Sequence, residues 1–139
     1  MRQFQQVLTV RAPHQGLHNI TPDVAACAAA SNIATGLLTL FVHHTSASLT
    51  IQENADPNVL RDLEDFFAAL APESATHYRH DAEGADDMPA HIRSALTQTS
   101  LGIPVRKGVM ALGIWQGLYL FEHRRQPQTR QLTLHIIGD

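Results

Sequence analysis

The hydrophobic and polar positions divide the chain into short stretches of two periods. "FQQVLTVRA" alternates and predicts a strand from Phe4, and "GLHNI" continues extended up to Thr21. "TPDVAACAAAS" then predicts a helix, with Thr21 as N-cap, Pro22 at the first helical position and Asp23 in the first turn. Its alanines favour that helix until Ser31 and Asn32. "TGLLTLFVHH" is a continuous apolar run of strand length, and "SASLTIQE" alternates Leu49 and Ile51 with Thr50 and Gln52. "ADPNVLRDLEDFFAALAP" predicts the plainest helix, capped by Asp56 and opened by Pro57. Val59, Leu60, Leu63, Phe66, Phe67 and Leu70 form its apolar face. "DDMPAHIRSALTQTS" predicts another, with Asp87 as N-cap and Ile92 and Leu96 turned inward. Short strands close the chain. "GIPVRKG" pairs with "VMALGIWQ" around Lys107 and Gly108, and "GLYLFEHR" reaches "RQLTLHIIG" through the turn-rich "RQPQT".

Strands therefore frame two or three helices with no βαβ rhythm and no repeat. This predicts an α+β fold, a mostly antiparallel, sandwich-like sheet with helices to one side. The long apolar strands predict that both sheet faces are covered, by helices or by a partner subunit. A chain of 139 residues, 44% hydrophobic, suffices for a single domain over residues 1–139. The lone Cys27 excludes an intrachain disulfide and fits a reducing compartment. A net charge of −3 offers no basic field for nucleic acid. No apolar run approaches the ~20 residues of a membrane span, and the amino terminus lacks the apolar core of a signal peptide. A soluble, cytoplasmic protein is expected.

Nine histidines almost match the ten lysines and arginines, which draws attention to where they sit. "YRHDAEGADDMPAHIRS" crowds His80, Asp81, Glu83, Asp86, Asp87 and His91 beside a helix start. A loop ligand, His80, and a helix ligand, His91, can open a metal site that His44 completes from a distant strand. Three imidazoles would leave positions for water or a phosphate oxygen. The spacing matches no strong zinc signature, and a solvated acidic loop with surface histidines fits the same residues. In "FVHHTSASLT", strand alternation sends His43 and His44 to opposite faces, while Thr45, Ser46 and Ser48 offer donors to a phosphate. A polar strand end with one satisfied histidine is the alternative.

"LGIWQGLYLFEHRR" sets Trp115, the only tryptophan, between Gly113 and Gly117, where a ligand or another backbone can come close. Glu122 and His123 are expected to face opposite ways, and Arg124 and Arg125 can clamp a phosphate. A core tryptophan and a charged edge strand explain the same stretch. Glu53 and Asn54 have no evident structural role, and Glu53 can bind a divalent ion or act as a base. The glycine-rich nucleotide loops, the G-x-S-x-G elbow and paired cysteines are all missing, which disfavours dinucleotide, P-loop and esterase chemistry.

"HHTSASLTIQENADPNVLRDLEDFF", "YRHDAEGADDMPAHIRS", "SLGIPVRKGVMALGIWQGLYLFEHR" and "RQLTLHIIGD" together resemble the YjbQ family, in family order and across nearly the whole chain. The resemblance implies a compact α+β fold assembled as a homotrimer, with sites near subunit boundaries. It also implies a weak thiamine-phosphate synthase activity, which joins a pyrimidine-methyl pyrophosphate to a thiazole phosphate and releases pyrophosphate. On this resemblance His44, His80 and His91 hold a divalent cation, zinc or magnesium, or a phosphate. Catalysis falls to His44, Glu53, His91 and Glu122, and substrate binding to Thr45, Ser46, Asn54, Glu83, Asp87, Trp115 and Gln116. The cation would neutralise the leaving pyrophosphate, Trp115 would stack on a flat heterocycle, and Glu122 or Glu53 would orient it or take a proton. Ile114 departs from the family pattern, which usually has a small hydroxyl residue there, so that donor is lost. A metal- or phosphate-binding trimer without turnover and a metal-dependent phosphate-ester hydrolase are the alternatives.

Overall fold

The computed structural model describes all 139 residues. The strands are β1 (Arg2–Ala12), β2 (Gly16–Asn19), β3 (Thr35–Val42), β4 (Ala47–Glu53), β5 (Ser100–Arg106), β6 (Val109–Met110), β7 (Gln116–Glu122) and β8 (Gln128–Gly138). The helices are α1 (Thr21–Ala30) between β2 and β3, then α2 (Pro57–Leu70) and α3 (Asp87–Leu96) between β4 and β5. One sheet runs β1-β8-β3-β5-β6 and the other β2-β7-β4, and every ladder is antiparallel. The α+β expectation holds. Leu38 and Leu40 of β3, Leu132, Leu134 and Ile136 of β8, Leu49 of β4 and Leu118 and Leu120 of β7 belong to one buried cluster. The two sheets thus share a single core.

Of the two expected covers for the sheet faces, helices of this chain do not supply the outer one. β3 alternates strictly, with Leu38, Leu40 and Val42 buried and Leu37 and Phe41 47% and 44% exposed. Ile137, the register partner of Leu37 on β8, is also exposed. No helix of this chain covers that outer face, because α2 and α3 pack against the smaller sheet and α1 against β6, β7 and β8.

The helix ends also differ in detail. Ile20, not Thr21, occupies the N-cap position of α1, and the Thr21 hydroxyl instead accepts from the Leu118 amide (2.8 Å). Asp56 caps α2 as expected, accepting from the Asn58 amide (2.9 Å). Only part of the α2 stripe is used: Phe67 meets Phe121 edge-on, while Phe66 and Leu70 are exposed. On α3, Asp86 takes the N-cap position and Asp87 becomes the first helical residue. The buried face of α3 is Asp87, Pro89, Ala90, Arg93 and Ser94, and Leu96 is exposed. Small residues explain this, because Ala90 and Ser94 let the helix approach β4 until the Ser94 hydroxyl donates to the Ala47 carbonyl (3.3 Å).

The predicted "VMALGIWQ" strand is cut short at Met110. Lys107 and Gly108, both at positive φ, form the turn before it. Beyond Met110, the Gly113 amide donates to the Gln116 side chain (2.7 Å) and closes a tight loop. The β4–β7 register sets the two ends of the small sheet: Ala47 faces Glu122 at one end and Glu53 faces Gln116 at the other. Six residue steps at about 3.4 Å each separate these ends by about 20 Å.

Candidate metal centre

The start of α3 carries the densest group of ligand-type side chains. His80, Asp87 and His91 each offer one donor atom, all within 4.8 Å of one another. Asp87 and His91 are four apart and therefore share a helix face, and the preceding loop lays His80 against them. Asp87 is buried, and its Oδ2 meets His80 Nε2 at 2.6 Å and His91 Nε2 at 3.2 Å. Its Oδ1 accepts from Arg124 Nη1 (2.6 Å), and Arg124 also donates to Asp86 Oδ2 (3.0 Å) and to the Glu83 carbonyl (2.9 Å). Burial pushes the Asp87 carboxyl upward, but its hydrogen bond with His80 and the charges of Arg124 and His91 outweigh burial and hold it low. The hydrogen bond to Asp87, opposed by a smaller loss of solvation, raises His80.

The tautomer of His91 follows from its partners. Its Nδ1 lies 3.1 Å from the Thr45 carbonyl, which can only accept, so Nδ1 carries the proton. In the neutral ring the Nε2 lone pair then points at Asp87. An imidazole that gives its second N–H to a backbone carbonyl is the usual support of a metal-ligating histidine. Two imidazole nitrogens and one carboxylate oxygen, with His80 and His91 partly exposed, suit a cation that keeps open positions.

His44 is not the third member of this group. β3 ends at Val42, so strand alternation does not apply to the two histidines that follow. His43 Nε2 bonds the Thr133 hydroxyl (2.6 Å), and His44 Nε2 accepts from the Gln131 amide (2.8 Å). Both line one cavity of about 580 Å³ with Phe41, Thr45, Ser46 and Thr99. Burial, then the charge of Arg130, lowers the His44 pKa and keeps the ring neutral with its proton on Nδ1. Thr45 joins the two places, because it lines the cavity and its carbonyl holds His91.

The remaining expected residues are split between the ends of the small sheet. Glu122 is fully buried, and its oxygens take Arg130 Nε (2.6 Å) and Nη2 (2.5 Å). Arg130 in turn donates to the Ser46 hydroxyl (3.0 Å), so Glu122 fixes the cavity wall without reaching into it. Arg124 is spent on Asp86 and Asp87, and Arg125 pairs with Glu73, so the expected phosphate clamp is not formed. Glu83 stays near, 3.5 Å from His80. Trp115, Gln116, Glu53 and Asn54 lie at the far end. Glu53 accepts from the Asp56 amide (3.2 Å), and Asn54 bolts the Trp115 loop by donating to the Ile114 and Gln116 carbonyls. Both have structural roles that the sequence does not reveal. The sequence suggests Arg124 as a phosphate ligand; its place beside Asp87 is hidden there because its acidic partners lie 37 and 38 positions away.

Fold and site together define a class: an antiparallel two-sheet α+β protein with a His–Asp–His candidate cation site at a helix start. The chain belongs to the family described as "UPF0047 protein YjbQ-like", which matches residues 6–139. It is 53% identical to a UPF0047 protein of Synechocystis over 99% of this chain and 94% of that one. It is 43% identical to the UPF0047 protein YjbQ of Escherichia coli O157:H7 over 98% and 99%. A conserved hypothetical protein from Thermus thermophilus superimposes with a TM-score of 0.83 at 39% identity, covering 95% and 99%. A YbjQ-like protein of unknown function from Sulfolobus solfataricus shares the fold, with a TM-score of 0.87 at 21% identity over 99% and 100%.

Proposed function

We propose that the chain is a divalent-cation enzyme acting on a phosphorylated small molecule. The specific reaction we favour is the thiamine-phosphate synthase type: a pyrimidine-methyl pyrophosphate joins a thiazole phosphate, and pyrophosphate leaves. The single observation that carries the cation is His91, whose Nδ1 proton goes to the Thr45 carbonyl while Nε2 faces Asp87 beside His80. The phosphorylated ligand is supported by the adjoining cavity, where Thr45, Ser46 and neutral His44 place polar groups. His44 Nδ1–H is then a donor to a phosphate oxygen rather than a metal ligand. Two imidazoles favour zinc over magnesium, which prefers oxygen donors. When bound, the cation would supply positive charge against the departing pyrophosphate. Arg130 holds Ser46 in place, and Arg124 fixes the second oxygen of Asp87.

Trp115 cannot share this site within one chain, since the small sheet separates them by about 20 Å. The reading therefore includes a cytoplasmic homotrimer in which a neighbour brings its Trp115, Gln116, Glu53 and Asn54 toward the cavity. The same separation favours a second reading, metal-dependent phosphate-ester hydrolysis, which needs no heterocycle platform and uses an open position for water.

Metal-stripped protein, reloaded with zinc or magnesium, is assayed for pyrophosphate release with both substrates and for phosphate release from p-nitrophenyl phosphate. Pyrophosphate that appears only with both substrates and metal supports the synthase. Phosphate alone moves the assignment to the hydrolase, and metal binding with neither product leaves a binding trimer without turnover. His91→Ala should lose bound metal and turnover with little change in Tm. Full turnover by the metal-free protein would end the cation reading.

A further inference from the structure

A second place in the molecule holds an unpaired charge. Arg93 lies on α3 two residues past His91, about 200° round the helix, and so faces away from the candidate metal centre. Arg93 is 5% exposed, yet it makes no ion pair. Its Nη2 donates to the Ala71 carbonyl (2.8 Å), and its buried Nε has no partner. The acid whose charge it feels most, Glu73, forms its ion pair with Arg125 and accepts from the Gln15 amide (3.2 Å), while its buried Oε2 makes no hydrogen bond. A buried guanidinium without a counter-charge is costly, and such groups are normally paired.

Arg93 also borders empty space on two sides. One cavity, of about 190 Å³, has Phe67 and Phe121 in its wall; the other, of about 360 Å³, opens beside Pro72 and Arg125. Both cavities are lined by Gln15, Ala68 and Arg93, so they form two lobes of one groove along α2 with the guanidinium on its floor.

We propose that this groove binds a small carboxylate, whose planar group meets the Arg93 guanidinium where it lines the groove while a short apolar body lies on Phe67 and Phe121. The guanidinium fork matches a carboxylate in geometry and charge. Glu64 and Asp65 at one lobe and Glu73 at the other oppose any anion and a dianion about twice as strongly, which favours a monocarboxylate over a phosphate. The groove and the metal centre are separate sites, so this assignment does not depend on the proposed reaction.

The test follows the arginine Nε–H signals of 15N-labelled protein during titration with sodium butyrate, inorganic phosphate or sodium chloride at matched ionic strength. Arg93→Lys identifies the Arg93 signal. Butyrate should move that signal saturably, and chloride should leave it in place. Ala68→Leu fills the groove from the surface of α2 without touching the buried charge, and it should abolish the butyrate response even if Arg93→Lys does not fold. No saturable movement with butyrate, or an equal response to chloride, overturns the site. A saturable response to phosphate but not to butyrate overturns the carboxylate assignment.

Discussion

Thr97 has one hydroxyl proton, and the Arg93 carbonyl at 2.8 Å can only accept it. The Ser48 hydroxyl, 2.6 Å from Thr97, must therefore donate to Thr97, and His123 Nε2 must donate to Ser48 (2.9 Å). His123 is thus neutral with its proton on Nε2, and its buried Nδ1 is left bare. Burial, then the charges of Arg93 and Arg130, lowers its pKa from 6.5 to about 3. Between these values the unfolded chain binds a proton that the folded chain refuses, so stability falls as pH drops from 6.5 toward 3. The loss is about 1.4 kcal/mol per pH unit once the unfolded histidine is mostly protonated. Asp86 and Asp87, both held low in the fold, add their own loss at more acidic pH, as they protonate. Urea unfolding at pH 7 and pH 5 should show the histidine part, and His123→Gln should flatten it; a slope unaffected by that substitution would refute the assignment. The sequence marks the region of the candidate metal centre through His80 and His91, but not its third member. Asp87 beside a helix start reads as a cap, and only the placement of the capping position at Asp86 frees it for the two histidines.

At the scale of elements, local signals are legible in the sequence and long-range ones are not. Asp56 and Pro57 announce α2, and the structure uses both as read. Asp56→Ala should cost about 0.5–2 kcal/mol in chemical denaturation by losing the bond to the Asn58 amide. The inward face of α3 is not legible, because apolar periodicity selects Ile92 and Leu96, whereas contact with β4 selects small residues and the Ala71 carbonyl after α2 holds Arg93. The close of β3 on β8 makes a sharper demand. A Cβ on Gly138 would collide with the Thr35 carbonyl and the Gly36 backbone. Gly138→Ala should lower Tm by more than the Asp56→Ala change does, because the collision is with backbone that cannot rotate away. An equal or smaller loss would show that the β3–β8 junction yields easily.

For the whole molecule, the informative surface is the uncovered outer face of the large sheet. Val7, Leu37, Phe41 and Ile137 stand exposed there, and Ile114 and Trp115 project from the loop that Asn54 bolts. Exposed apolar groups of this size commonly mark association surfaces. Light scattering should give the proposed trimer mass for the native chain, and Leu37→Glu with Phe41→Glu should shift it toward the monomer. If neighbours share sites, mixing His91→Ala and Trp115→Ala chains should recover part of the turnover that each has lost, whereas no recovery would place all working residues in one subunit. The antiparallel α+β character is readable from strand lengths and turns. Opposite placement of the sheet ends is not, since it depends on β4–β7 register. The Thr45 peptide has one more consequence. Because Thr45 lines the cavity while its carbonyl holds the His91 ring, a guest in the cavity and a cation at His91 would be thermodynamically linked. A guest that tugged this peptide off the ring would loosen the ion, and the ion would disfavour that guest by the same factor.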